Sequence, residues 1–252
     1  MQQSAKTRCI SSGVLILDDT ILEKTGNQMA GVRKLFDHAK KTFVNGLSLV
    51  QLFYVDSQKR YPLWYALHSN RGRKPKPTKD RTVPIGKYKI ALRLIRQAIE
   101  CGIRPKAVLF DAWYASVRFL KSLHKMGLSF VSRLASSRYL LVNGIRIKAA
   151  DLLKQKHRYR YYKSLKAKAF AVSAILPHFG EVTVVCVKYR NKSAVIITNL
   201  NTYDLVYIVS LYRQRWAIEV YFREAKQVFG LDKFQNRSAS SIQAHLALTA
   251  LA

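Results

Sequence analysis

The sequence, 252 residues long, predicts an α/β fold with a mainly β insertion, and three observations carry that expectation. Two short apolar runs, at 14–17 and 107–110, each stop at aspartate, as strands buried on both faces do when a site lies at their carboxyl ends. Helical spacing at 88–101 and 115–126 alternates with further strand-like runs. A stretch near the end, 203–229, reads as one long helix that is apolar almost all round yet carries a single polar stripe.

Hydrophobic residues make up 49% of the chain, enough to bury a core, which excludes a disordered basic tail. The 44 Lys and Arg residues against 14 acidic ones give a formal charge of +30. A folded domain with that charge reads as a nucleic-acid binder, because phosphates neutralise it. No stretch approaches the roughly 20 apolar residues of a spanning helix. The start of the chain is too polar for a signal peptide. Cys9, Cys101 and Cys186 have no metal-ligand spacing and read as reduced thiols of an intracellular protein. With so few carboxylates, each one that ends an apolar run is a candidate for chemistry.

In chain order, Val14, Leu15, Ile16 and Leu17 form a strand that ends at Asp18, Asp19 and Thr20. Adjacent strand residues face opposite sides, so only one of the two aspartates points into a given site. The alternative is a turn or helix cap, which Asp and Thr often supply. Residues 40–55 and 61–68 are two more strands, joined by a polar turn, and three early strands with short links suggest a meander. The Gly- and Pro-containing loop at 70–81 holds six basic residues and one acidic, among them Arg71, Arg73, Lys74 and Lys76, and reads as a phosphate-contacting loop. A helix at 88–101 stops at Gly102. The strand at 107–110 then leads into Asp111, followed by a helix at 115–126 and a strand at 128–134. Strand, strand, strand, helix, strand, helix, strand is the order of a ribonuclease-H-like core.

Residues 135–202 change character and read as a β-rich insertion between the core's first part, 1–134, and its completion, 203–252. Asn143-Gly144 between apolar runs signals a hairpin. Strands are expected at 168–175, 181–189 and 193–198. Between 154 and 168 seven Lys or Arg residues interleave with Tyr159, Tyr161 and Tyr162, a mixture that suits backbone contact with stacking on unpaired bases, or an ordinary amphipathic element. An apolar helix begins at 240, and the chain reads as cut off within it.

On a continuous helix Tyr212, Arg215, Glu219, Arg223 and Lys226 fall within about 80° of one another. Burying Glu219 costs free energy unless it is paired or bound to metal. One reading is a structural Arg215–Glu219–Arg223 ladder; the other is a metal-holding carboxylate flanked by phosphate-binding groups.

Tyr212, Arg215, Glu219 and Lys226, at those spacings, resemble the YREK signature of DDE transposases from bacterial insertion sequences, in the IS-four-type group. Asp-Thr after an apolar strand, and the Phe110-Asp111-Ala112-Trp113-Tyr114 run, resemble that group's other two acidic motifs. The resemblance runs from about residue 14 to the end. It implies a ribonuclease-H-like catalytic core with a β-rich insertion before the last acidic residue. It also implies an Asp19, Asp111 and Glu219 triad that holds Mg²⁺ or Mn²⁺, Asp19 being chosen because it directly precedes the Thr. Tyr212, Arg215 and Lys226 would contact the end of the transposon. The partners implied are double-stranded DNA, as element end and as target, and a second copy of the chain in a homodimer on DNA in the bacterial cytoplasm. The group generally carries a DNA-binding region before the first catalytic strand, so this chain is expected to be a fragment. A stand-alone metal nuclease and a non-catalytic DNA-binding remnant are the rival functions.

DNA binding should weaken steeply as salt rises, with Arg71, Arg73, Lys74 and Lys76 accounting for part of the dependence. Changing all four to Ala should flatten the plot of log affinity against log salt; an unchanged slope would mean that the loop is merely solvated.

Overall fold

The computed structural model describes residues 13–26, 28–68, 86–190 and 192–251. The chain runs through β1 (Val14–Glu23), β2 (Arg33–Asp37), β3 (Thr42–Val55), β4 (Arg60–His68), α1 (Lys87–Glu100), β5 (Val108–Phe110), α2 (Val117–Lys125) and β6 (Phe130–Leu134). It continues through β7 (Tyr139–Val142), β8 (Ile145–Lys148), the single turn α3 (Ala149–Leu152), β9 (Arg160–Tyr162), β10 (Ala167–Leu176), β11 (Gly180–Tyr189) and β12 (Lys192–Thr198). The last elements are α4 (Leu205–Arg213), α5 (Trp216–Gln227) and α6 (Ala239–Leu251). The result is a mixed α/β protein with a large mixed sheet, divided into two units that interleave in sequence.

The first unit comprises Met1–Leu17, Tyr54–Lys59 and Cys101–Trp216. At its centre the first half of β1, β5 and β6 run parallel, with Leu15 opposite Val108 and Val108 opposite Phe130. Nearly every side chain of the three is fully buried, which is why they read as continuous apolar runs. β12 then pairs antiparallel with β6, and β11, β10, β7 and β8 follow in order, with β9 on β10. The hairpin signal at Asn143-Gly144 is met: both residues have positive φ, at 50° and 78°, and Val142 pairs with Ile145. Tyr159 is used for packing. Its ring meets Phe170 edge-on at 4.8 Å and its hydroxyl donates to the Leu153 carbonyl, whereas Tyr161 stays exposed.

The second unit comprises Asp18–Phe53, Arg60–Glu100 and Ala217–Ala252. Within it β1 does not stop at the aspartates but continues to Glu23, with β3 beside it and β2 and β4 both pairing with β3. Close backbone approach explains the extension. A Cβ at Gly46 would sit 2.6 Å from the Leu22 carbonyl oxygen, and Lys24 N–H donates to Asn45 O at 2.8 Å. β2 was not expected. It is an edge strand of five residues with only Arg33, Leu35 and Asp37 turned partly inward, too short and charged to show a period-2 signal.

The long helix expected at 203–229 is two helices. Gln214 and Arg215 N–H groups bond three residues back, to the Leu211 and Tyr212 carbonyls, so the α-helical ladder ends there and α5 starts at Trp216. The single stripe of one continuous helix therefore does not run through the break. Nor is the helix buried all round: Ile218, Phe222 and Ala225 are, but Trp216 and Arg223 are exposed.

Gly46→Ala should cost roughly 1–3 kcal/mol by overpacking against backbone, or about 2–4 °C of Tm per kcal/mol. A thermal melt with unchanged Tm would show that this strand pair yields without cost.

Candidate active site

In the first unit Asp111 leaves the end of β5, where the chain turns to reach α2. Its Oδ1 accepts from the Trp113 N–H at 3.0 Å and the Tyr114 N–H at 3.4 Å, and its own carbonyl accepts from the buried Ser132 hydroxyl at 3.1 Å. Phe110 and Ser132 are opposed in register, which places that hydroxyl beside the turn. The carboxylate is thus locally fixed before any ligand is considered. The same unit holds Tyr212, at the end of α4. Burial pushes its phenol up to about 12, against the Arg215 and Arg133 guanidinium groups, which pull it down, and with a smaller upward push from Asp111. Arg215 lies 6.0 Å from the Tyr212 ring centroid.

A cavity of about 930 Å³ opens in this unit between the ends of β11 and β12 and helix α4. Arg133, Lys166, Lys192 and Arg213 supply its charge, and Tyr189, Tyr212 and Trp216 its rings. Arg213 is anchored by donating to the Leu165 carbonyl at 2.5 Å. A basic wall with exposed aromatic faces suits a polyanion with bases or sugars between its charges. Lys192, Arg213 and Trp216 were not singled out by sequence reasoning as lining one space; only the pairing of β12 with β11 and the break before α5 bring them together.

In the second unit Asp19 lies within β1 and α5 carries Glu219 and Lys226. Lys87, the first residue of α1, donates from Nζ to Asp19 Oδ2 at 2.5 Å. Lys226 Nζ donates to the Thr20 hydroxyl at 2.9 Å and to the Ile21 carbonyl at 2.8 Å, tying α5 to the strand that bears Asp19. Burial lowers the pKa of this ammonium, and Asp232, Asp37 and Glu23 partly restore it. Arg33 and His68 form a second layer. Arg33 Nη2 donates to His68 Nδ1 at 2.7 Å; arginine is only a donor, so the imidazole proton sits on Nε2. Burial first, then the charges of Arg33 and Lys87, hold His68 down to about 4, against an upward pull from Asp19. Sequence reasoning missed Lys87, Arg33 and His68, since none lies in a motif and only the fold places them near Asp19.

Of the residues expected to act together, Asp111, Tyr212 and Arg215 belong to the first unit and Asp19, Glu219 and Lys226 to the second. Asp18 accepts the Asp19 N–H at 2.9 Å through its own carboxylate. Among the described residues, no group of three or more His, Cys, Asp or Glu side chains is arranged to hold a metal ion. Arg71, Arg73, Lys74 and Lys76 lie outside the described residues. No helix among the described residues is long and apolar enough to cross a membrane.

Compared with known families, the transposase DDE domain matches residues 11–252. A comparison with curated proteins gives no match. Among solved structures, the NurA nuclease from Sulfolobus solfataricus aligns at 8% identity over 81% of this chain and 72% of its own, with a TM-score of 0.38. Endonuclease V from Ciona intestinalis, in complex with a 24mer DNA containing an inosine followed by a ribo-adenosine, aligns at 10% identity over 94% and 84%, with a TM-score of 0.39. At these scores neither likeness bears on function.

The His68 assignment predicts a pH dependence. In the unfolded chain this imidazole protonates near pH 6.5, in the folded chain only near 4. Between those values the unfolded chain binds more protons, so stability falls as pH drops from about 6.5 to about 4. Urea midpoints measured across that window should fall less for His68→Gln than for the parent; parallel curves would remove His68 from the cluster's pH response.

Proposed function

The chain belongs to the transposase DDE domain family, and from this premise we propose that it cuts DNA at the ends of a mobile element and joins them to target DNA. The observation that carries the reading is the family match over residues 11–252, which includes all three candidate carboxylates. The finer assignment is to the IS-four-type group, with a ribonuclease-H-like core, a β-rich insertion at 135–202, and Tyr212, Arg215, Glu219 and Lys226 as the YREK residues. The chain acts on double-stranded DNA, as a homodimer, in the bacterial cytoplasm.

Transposases of this family are generally dependent on divalent metal. Asp19, Asp111 and Glu219 would hold it, and the donors fit: three carboxylates make the hard, all-oxygen set that Mg²⁺ or Mn²⁺ takes. Two features of the molecule support the fit. Asp19 already accepts a cation, the Lys87 ammonium, and the Asp111 carboxylate is fixed through one oxygen by two backbone N–H groups. When bound, such ions supply activation of a water or 3′-hydroxyl and charge stabilisation at the leaving oxygen of an in-line displacement at phosphorus.

The chain's own residues do the rest. Arg215 grips the phosphate beside the reacting one through paired N–H donors. Tyr212, a phenol and therefore neutral near neutral pH, donates a hydrogen bond without adding charge. Lys226 holds α5 to β1 through Thr20 and Ile21 and offers its charge to the DNA end. The basic, ring-lined cavity of the first unit suits contact with a strand of DNA.

Supercoiled and end-containing DNA incubated with the chain and Mg²⁺ or Mn²⁺ should show nicking or transfer of a pre-cut end. Glu219→Gln should abolish it and leave DNA affinity within about twofold, because the amide keeps shape but loses the charge that holds a hard cation. Nicks without joined products would identify a nuclease. DNA binding with no metal-dependent cutting, together with a Glu219→Gln chain that unfolds, would make Glu219 a structural ion-pair member and the chain a DNA-binding remnant.

A further inference from the structure

We propose that Lys87 is the resident counter-ion of Asp19, that it yields this carboxylate to a divalent cation, and that the released ammonium then turns to a DNA phosphate. The inference rests on the reading of Asp19 as a metal-holding residue.

The contact itself makes the competition. Lys87 Nζ is 2.5 Å from Asp19 Oδ2, and each side chain is only 20% exposed. Mg²⁺ sits about 2.0–2.1 Å from an oxygen ligand. It would lie within roughly 4–5 Å of an ammonium on the same oxygen, where two like charges repel strongly in a partly buried setting. Asp19 therefore serves one cation at a time through that oxygen.

The position of Lys87 in the fold points the same way. It is the first residue of α1, whose opening turn begins with Lys89 and Ile90 N–H groups donating to Gly86 O. A helix N-terminus carries partial positive charge and disfavours a cation. The contact with Asp19 offsets that field. Arg33 with its His68 partner already brings positive charge to that side of the unit, so a released ammonium is repelled from it. An incoming anion is what relieves the released cation, and in a DNA-acting site that anion is a phosphate. Cation binding at Asp19 and DNA binding through Lys87 then favour each other, and the coupling is reciprocal.

The test uses the full chain, with Mn²⁺ affinity measured by titration calorimetry or by the paramagnetic signal of free Mn²⁺. Lys87→Met and Lys87→Gln both keep an unbranched stem and remove the charge. They should bind Mn²⁺ roughly three- to tenfold more tightly than the parent, while Lys87→Arg should behave like the parent. A short blunt duplex should tighten Mn²⁺ binding in the parent and do so less in the two neutral variants. Mn²⁺ affinity in both neutral variants equal to or below the parent's overturns the inference. Asp19→Asn separates it from the reading beneath it. If Asp19→Asn lowers Mn²⁺ affinity while the neutral Lys87 variants leave it unchanged, only the role of Lys87 falls. If Asp19→Asn binds Mn²⁺ as the parent does, Asp19 is not a metal ligand and both fall.

Discussion

The contact on which the second unit most depends is the Lys226 ammonium donating to Thr20 and Ile21. An ammonium carried into a protein loses hydration, and the lowered pKa of Lys226 reflects that loss. The cost is offset only where oxygen acceptors replace the water. A strand hydroxyl and a strand carbonyl do so here, and one residue therefore fixes helix α5 against the stretch of β1 that contains Asp19. Lys24, a few residues on, is built alike. It is 7% exposed, donates to the Asp232 and Phe234 carbonyls at 2.6 and 2.7 Å, and lies 3.4 Å from the Phe234 ring centroid. Two lysines thus bind the second half of β1 to segments some two hundred residues away.

This use of cations follows from the composition. With 44 basic and 14 acidic residues, most buried positive charge cannot find a carboxylate. It turns to backbone carbonyls, as Lys24, Lys226 and Arg138 do. The few carboxylates are left for places where backbone N–H groups or cations converge. Asp37 and Asp56 close turns and Asp204 caps α4. Asp111 closes a turn in the same way, and the hydrogen bonds that make the turn also hold its carboxylate still.

Much of this was legible along the chain. Buried parallel strands announce themselves as short apolar runs, so β1, β5 and β6 could be read from 14–17, 107–110 and 128–134. The strands at 168–175, 181–189 and 193–198 and the Asn143-Gly144 hairpin were equally plain, because alternation and positive-φ turn residues are local properties. Less was legible where neighbours decide. The extension of β1 through Asp18, Asp19 and Thr20 depends on β3 approaching at Gly46, and β2 exists only as a partner for β3. The break between α4 and α5 has neither Gly nor Pro to mark it; two N–H groups simply bond one residue short.

What the sequence determined by itself is the class of protein: basic, α/β, and a member of the transposase DDE domain family. Those features are fixed by residue type and spacing, which no packing can change. What only the tertiary structure decided is the company those residues keep. Lys87 meets Asp19 across 68 positions and Lys226 meets Thr20 across 206, while Arg33, on a strand that carried no signal, finds His68. Pairings over such distances depend on which strands and helices become neighbours, and that is settled by burial of the whole core, not by any local pattern.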